Sequence, residues 1–334
     1  MLRPSQPESF LRGCAFPPGE DVPYPRAAMD ALGARLPLDT LGTASLPVGV
    51  RLEWVGDARA VVVDYETATE ELGYRGAGAG RTFALYRGAT CIDEQVARLG
   101  RHRVELQAAV DGRGEAPCIL YLPEGMKPTV HQLIAVEGAI EPAPRQPRWL
   151  CYGDSIAEGW IASGPAGAWP AVAGREQGLD AVNLGYAGSA RGEIVSAEQI
   201  AELEADVISL SHGTNCWTRT PHSRAQFTAN LEAFLSVIRE GHPTTPIVAL
   251  SPLLRPDAEQ EPNRLGASLA DLRSGFEEVV RNRIGAGDAL LELLEGVPLI
   301  GAEQLPDGIH PGDEGHRVLA EAVGPIVARA CGRL

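Results

Sequence analysis

Two hydrophobic rhythms follow one another along the chain. From about Val48 to Val136, apolar and polar residues alternate over short runs. VGVRLEW places Val48, Val50, Leu52 and Trp54 on one face, and AVVVDY does the same with Val61, Val63 and Tyr65. RVELQAAV, CILYL and HQLIAVEG continue the series, with RGAGAGR and DGRGEAP as breaks. Period-two runs separated by turn signals, with no helical stretch among them, predict an antiparallel β-sandwich. RGAGAG does not complete a dinucleotide-binding glycine motif, because position 81 is Arg, and it reads as a loop. The Pro-rich residues before about position 45 predict irregular structure. EGAIEPAPRQP, Glu137 to Pro147, reads as a stiff connector. It divides the chain into a sandwich region, 1–145, and a second region, 146–334.

In the second region the rhythm changes. Apolar runs (WLCYG, AVNLGY, DVISLSHG, PIVALS and ALLEL) alternate with helical patterns at 166–177, 193–204, 223–240, 263–284 and 313–330. In the last, Val318, Leu319, Ala322, Val323, Ile326 and Val327 recur at helical spacing. Such alternation predicts a parallel sheet covered by helices on both faces. Ligands of such sheets bind at the carboxyl ends of the strands.

Chemically able residues stand at those ends. Gly153-Asp154-Ser155 follows the first strand, and NLGYAGSARG, with Asn183, Gly185 and Gly188, follows the second. SHGTNCW, with Asn215, follows the third, and DGIHPGDEGH, with Asp307 and His310, precedes the last helix. A serine where Ser155 stands is either a helix cap or a nucleophile. The companion blocks favour the nucleophile.

Together the four blocks resemble the SGNH hydrolases, also called the GDSL family, from Arg148 to the C-terminus. GDSI matches the first block, NLGYAGS the second, GTN the third and DGIHPGDEGH the last. Two positions depart from the usual pattern: Cys216 follows Asn215 where Asp is common, and Ile156 follows Ser155 where Leu is common. The resemblance implies a flavodoxin-like three-layer α/β hydrolase domain. It implies Ser155 as nucleophile, with Gly188 and Asn215 as oxyanion-hole positions, and Asp307 and His310 as the remaining catalytic pair. With a sandwich in front, the arrangement also resembles two-domain carbohydrate esterases with a jelly-roll partner. The implied substrate is a small O-acyl ester, such as an O-acetyl group on a sugar or metabolite.

The residues themselves fit this chemistry. A serine hydroxyl needs a base to take its proton, and a histidine does so near neutral pH. Asp307, three residues before His310, can orient the imidazole across a tight turn. The amides of Ser155 and Gly188 and the side chain of Asn215 would stabilise a tetrahedral oxyanion. Trp160 and Trp217 are candidates for a substrate platform. Asp154 reads as a turn residue, His316 as structural and His212 as a hydrogen-bonded structural residue beside the site. Acyl transfer by the same residues, or a catalytically inactive ligand-binding protein, are the competing readings.

Composition narrows partners and location. Of the 334 residues, 44% are hydrophobic and 22% charged, as expected of a globular protein. The net charge of −15, with scattered basic residues, argues against nucleic acid and anionic membranes. No apolar run reaches membrane-spanning length, and MLRPSQPESFLRGC lacks a signal-peptide core. A cytoplasmic location is the expectation. The six cysteines contain no C-x-x-C pair and read as free thiols. No H-E-x-x-H occurs, so neither a metal nor another cofactor is expected.

Overall fold

The computed structural model describes residues 4–19, 21–70, 79–108 and 116–332. Most of the RGAGAG loop and of the DGRGEAP break falls outside these residues.

The period-two region forms two antiparallel sheets. One runs in the order 4–5, 128–136, 60–67, 100–107. The other runs 140–142, 51–56, 118–121, 82–87, 90–96, with 11–12 also pairing to 51–56. Val50, Leu52, Trp54 and Leu120 from the second sheet share a core with Val61, Val63, Tyr65 and Leu133 from the first. The connector expected over Glu137 to Pro147 is therefore partly strand. Pro142, which has no amide to donate, is tolerated because this short strand lies at the sheet edge.

The second region contains five parallel strands, β1 (Arg148–Gly153), β2 (Asp180–Gly185), β3 (Val207–Ser211), β4 (Ile247–Leu250) and β5 (Leu291–Leu294). Their order is β2-β1-β3-β4-β5, the flavodoxin-like order, with its switch point between β1 and β3. The main helices are α1 (Trp169–Gln177), α2 (Ile194–Glu202), α3 (Arg224–Gly241), α4 (Leu269–Gly285) and α5 (Asp313–Ala330). Successive residues of β1 face opposite layers. Trp149 and Cys151 pack with Ala173 of α1 and Leu319 and Val323 of α5. Leu150 and Tyr152 pack with Ile200 of α2, Phe234 of α3 and Phe276 of α4. The sandwich and the three-layer domain are thus as expected.

Two local expectations differ. The helix read from position 263 starts only at Leu269. Asn263 Oδ1 accepts the Leu265 and Ala267 amides, closing a turn, and Ser268 with Asp271 then forms a capping box. The supposedly irregular N-terminal stretch contains a helix, Leu38–Ala44. Seven residues are too few for a periodic signal to stand out.

That N-terminal stretch also crosses onto the outer edge of β2. The carbonyls of Ala181, Asn183 and Gly185 lie two residues apart along this edge strand. Arg51 donates to the first and Arg26 to the other two. Edge strands expose unpaired backbone groups that can template aggregation; here two buried guanidiniums occupy this row of acceptors. Arg51 also pairs with Glu53 at 2.6 Å and Asp180 at 2.9 Å. The polar face of strand 51–56 therefore meets the second region instead of solvent.

Candidate active site

β1 ends at Gly153, and Asp154 caps the one-turn helix Ser155–Glu158 by accepting the Ile156 amide at 3.0 Å. The cap is thus Asp154, and Ser155 is the first helical residue with its hydroxyl uncommitted to capping. Ser155 Oγ lies 2.9 Å from His310 Nε2, and His310 Nδ1 lies 2.7 Å from Asp307 Oδ2. With Nδ1–H donating to the carboxylate, Nε2 is left as the acceptor facing the serine. The other oxygen of Asp307 accepts the amides of Ile309 and His310, at 2.9 and 2.7 Å. Burial would raise the Asp307 pKa, but the hydrogen bonds from His310 and Ile309 outweigh it and hold the carboxyl below its ordinary range.

A cavity of about 190 Å³ opens beside this chain of hydrogen bonds, lined by Ser155, Trp160, Gly188, Asn215 and His310 among others. Gly188 has φ 72°, left-handed backbone that glycine adopts without strain. Asn215 uses one N–H on the Ala190 carbonyl at 3.3 Å, and its amide carries a second. As the first helical residue, Ser155 has an amide that no turn of the helix uses. The three expected oxyanion-hole positions therefore border one cavity with the nucleophile candidate. Gly185 serves packing: a Cβ there would lie 2.3 Å from the Glu158 amide nitrogen, so β2 could not approach the Ser155 helix. Asn183 ties the same two elements, donating to the Ala157 carbonyl at 2.7 Å and accepting from the Gly185 amide at 2.8 Å.

The two tryptophans separate. Trp160 lines the cavity and stacks on His310, ring centroids 5.6 Å apart. Trp217, the other expected platform, stands outside this cavity. Its Nε1–H donates to the Glu261 carbonyl and its ring carries the Arg255 guanidinium, 4.8 Å from the centroid. Cys216, which replaces the common Asp, is fully buried, and its thiol donates to the Arg191 carbonyl. His316, read as structural, meets the Trp169 amide and the Trp160 carbonyl with its ring. Sequence reasoning missed Arg219 and Arg255, which line the cavity from the turn after Asn215 and from the loop after β4.

His212, at the end of β3, differs from its reading. Among the described residues neither ring nitrogen has a hydrogen-bond partner. Tyr152, Phe227, Phe234 and Phe276 surround the ring instead. Burial pushes its pKa down from 6.5 to about 4, so the folded protein keeps it neutral. The unfolded chain protonates it below about 6.5, so this residue removes stability as pH falls through the window below that value. The loss ends near pH 4, where the folded state also takes the proton. Buried Asp154 acts oppositely: burial raises it from 3.8 to about 6, so it adds stability as pH falls through that window. Replacing His212 by Phe exposes the Asp154 slope. Urea midpoints of His212→Phe should rise relative to wild type between pH 6.5 and 4.5. Parallel curves for the two proteins would contradict the assignment.

A separate cavity of about 120 Å³ lies between sandwich and α1 and shares no lining residue with the first. Its arginines are engaged, Arg51 as described and Arg175 with Tyr121 and the Ala166 carbonyl. Among the described residues no group of His, Cys, Asp and Glu could hold a metal ion, and no helix is long and apolar enough to cross a membrane.

The model of the GDSL-like lipase/acylhydrolase family matches residues 151–318. No curated protein matches the chain significantly. Among solved structures, the chain is similar to a salicylyl-acyltransferase from a tetracycline biosynthetic pathway, with 26% identity and TM-score 0.82 over 96% of this chain and 95% of that one. It is similar to a GDSL-like lipase structure from Bacteroides ovatus, with 21% identity and TM-score 0.80 over 99% and 98%. An acetyl xylan esterase from Butyrivibrio proteoclasticus shares the fold at 13% identity and TM-score 0.64, over the full length of both chains.

Proposed function

Because the chain belongs to the GDSL-like lipase/acylhydrolase family, whose model spans half of it, we propose that it is a serine esterase acting on a short O-acyl ester through an acyl-enzyme on Ser155. The observation that carries this reading is the continuous pair of hydrogen bonds from Ser155 Oγ through His310 to Asp307, beside one small cavity. His310 takes the serine proton as Oγ attacks the ester carbonyl. The Ser155 and Gly188 amides and the Asn215 side chain receive the oxyanion. His310 then passes the proton to the leaving alcohol, and water repeats the sequence in reverse to free the acid. Ligand sites for drug-sized molecules hold roughly 300–1,000 Å³; the smaller cavity here fits a short acyl group. We assign catalysis to 146–334 and the sandwich to 1–145.

The likeness to the salicylyl-acyltransferase favours a second reading, in which an alcohol or amine replaces water in the last step. The half-exposed Asp307 and the open cavity leave water access, and this favours hydrolysis.

The test is covalent. A fluorophosphonate should add once to the purified protein, by intact mass, and not to Ser155→Ala. An unlabelled wild type would refute the esterase and the acyltransferase together. Product analysis of an acetyl ester with and without an alcohol acceptor separates those two.

A further inference from the structure

We propose that the Ser155 cavity selects an ester that carries a carboxylate, held by Arg219; this rests on the esterase chemistry proposed above. Among the described residues, the cavity lining includes two arginines, Arg219 and Arg255, and no acidic residue. Such a cationic wall runs against the overall charge of −15.

The two arginines differ in what balances them. Arg255 is 5% exposed and already neutralised. It donates to both oxygens of Asp257, at 2.9 and 3.1 Å, and to Thr218 Oγ1 at 2.8 Å. Arg219 is exposed, and among the described residues its guanidinium makes no hydrogen bond or ion pair. Its position is nonetheless set. Its amide donates to the Asn215 carbonyl at 3.0 Å, in the turn that carries the oxyanion-hole candidate. Its guanidinium lies against Gly188, about where a Cβ there would make van der Waals contact, 3.5 Å from Nε and Nη2. An available planar fork thus stands beside the loop that would receive the oxyanion. Guanidinium binds carboxylate with two parallel hydrogen bonds and matches it better than a lysine would.

Arg219 also stands where the cavity meets an outer groove lined by Trp217, Pro221, Glu261 and Arg264. A carboxylate on either the acyl or the alcohol side of the ester could reach it, so the test has two arms. On the acyl side, the mono-4-nitrophenyl ester of adipic acid is compared with 4-nitrophenyl hexanoate. On the alcohol side, 4-acetoxybenzoate is compared with its methyl ester. A plain hydrophobic cavity would prefer the neutral member of each pair.

We expect kcat/KM of wild type to favour the anionic member of at least one pair by about tenfold, the worth of one charge-assisted contact. The ratio should fall to about one or below in Arg219→Gln and be partly kept in Arg219→Lys. It should also shrink between 0.1 and 1 M salt, as the screening length drops from about 10 to about 3 Å. Preference for the neutral member in both pairs, or an anionic preference that Arg219→Gln retains, overturns the inference. If the wild type takes fluorophosphonate on Ser155 yet lacks the preference, the inference alone falls. If it neither labels nor hydrolyses any of the four esters, the esterase reading falls with it.

Discussion

Ser155→Ala, His310→Ala and the double variant should all lower kcat/KM for a good ester substrate by the same factor, about 10⁴ to 10⁶. The equality matters more than the size. Ser155 Oγ and His310 Nε2 are 2.9 Å apart and, in the proposed mechanism, act on one proton. Once either is gone the other has nothing to do, so the second substitution costs nothing more. What remains comes from the oxyanion donors and binding, which neither substitution touches. Asp307→Asn should cost about 10⁴ and not be milder than Asp307→Ala. An asparagine can keep an oxygen toward the Ile309 and His310 amides, but it then turns NH2 toward His310 Nδ1. That reverses the tautomer and points Nε2–H at the serine. Steady-state kinetics on the five variants decides the matter. If each single variant stays within tenfold of wild type, or if the losses multiply in the double variant, these residues do not act as one unit.

The parts of this site legible in the sequence are those that local geometry dictates. Ser155, Gly188 and Asn215 each follow a strand of a parallel sheet, and strand ends are where such sheets place ligands. Asp307 and His310 are three residues apart, so one turn brings them together. The parts not legible depend on contacts far along the chain. Arg26 sits in a Pro-rich stretch without periodicity, and its partner Glu158 is 132 residues away. Arg51 and Glu53 look like the solvent face of a strand because alternation cannot show a second region packed there. Trp217 is close in sequence to Asn215, yet the helix Thr214–Trp217 turns it toward Arg255 and away from Ser155. His212 could be read as buried from its place at the end of a strand, but its lack of a hydrogen-bond partner among the described residues depends on aromatic rings from two helices, α3 and α4, and from β1.

Arg26→Met should be the most damaging substitution outside the reacting residues, destabilising the fold by about 3–5 kcal/mol. Arg26 is fully buried and pairs with Glu158, itself 1% exposed, at 2.9 Å. It also donates to the carbonyls of Thr43 and Leu46 in its own stretch and of Asn183 and Gly185 on β2. Methionine fills much of the volume but satisfies none of these acceptors and takes the guanidinium away from the buried Glu158 carboxylate. The damage should extend to rate. The second oxygen of Glu158 accepts the Ala187 amide at 2.7 Å, one residue before Gly188, and Tyr186 donates its hydroxyl to the Arg26 carbonyl. The N-terminal stretch thereby holds the proposed oxyanion-hole loop from behind. Urea unfolding reads the first effect, and kcat of the folded fraction at saturating ester reads the second, since a loop that receives charge only in the transition state should lower kcat more than it raises KM. The double variant Arg26→Met/Glu158→Gln supplies the control. Removing both charges should recover part of the stability lost in Arg26→Met, because no buried carboxylate then lacks its guanidinium counter-charge. It should not recover kcat to the wild-type value, because the tether to β2 is still missing. Full recovery of both would mean that the pair acts through charge balance alone, and an unchanged midpoint in Arg26→Met would mean that the N-terminal stretch is not docked on β2.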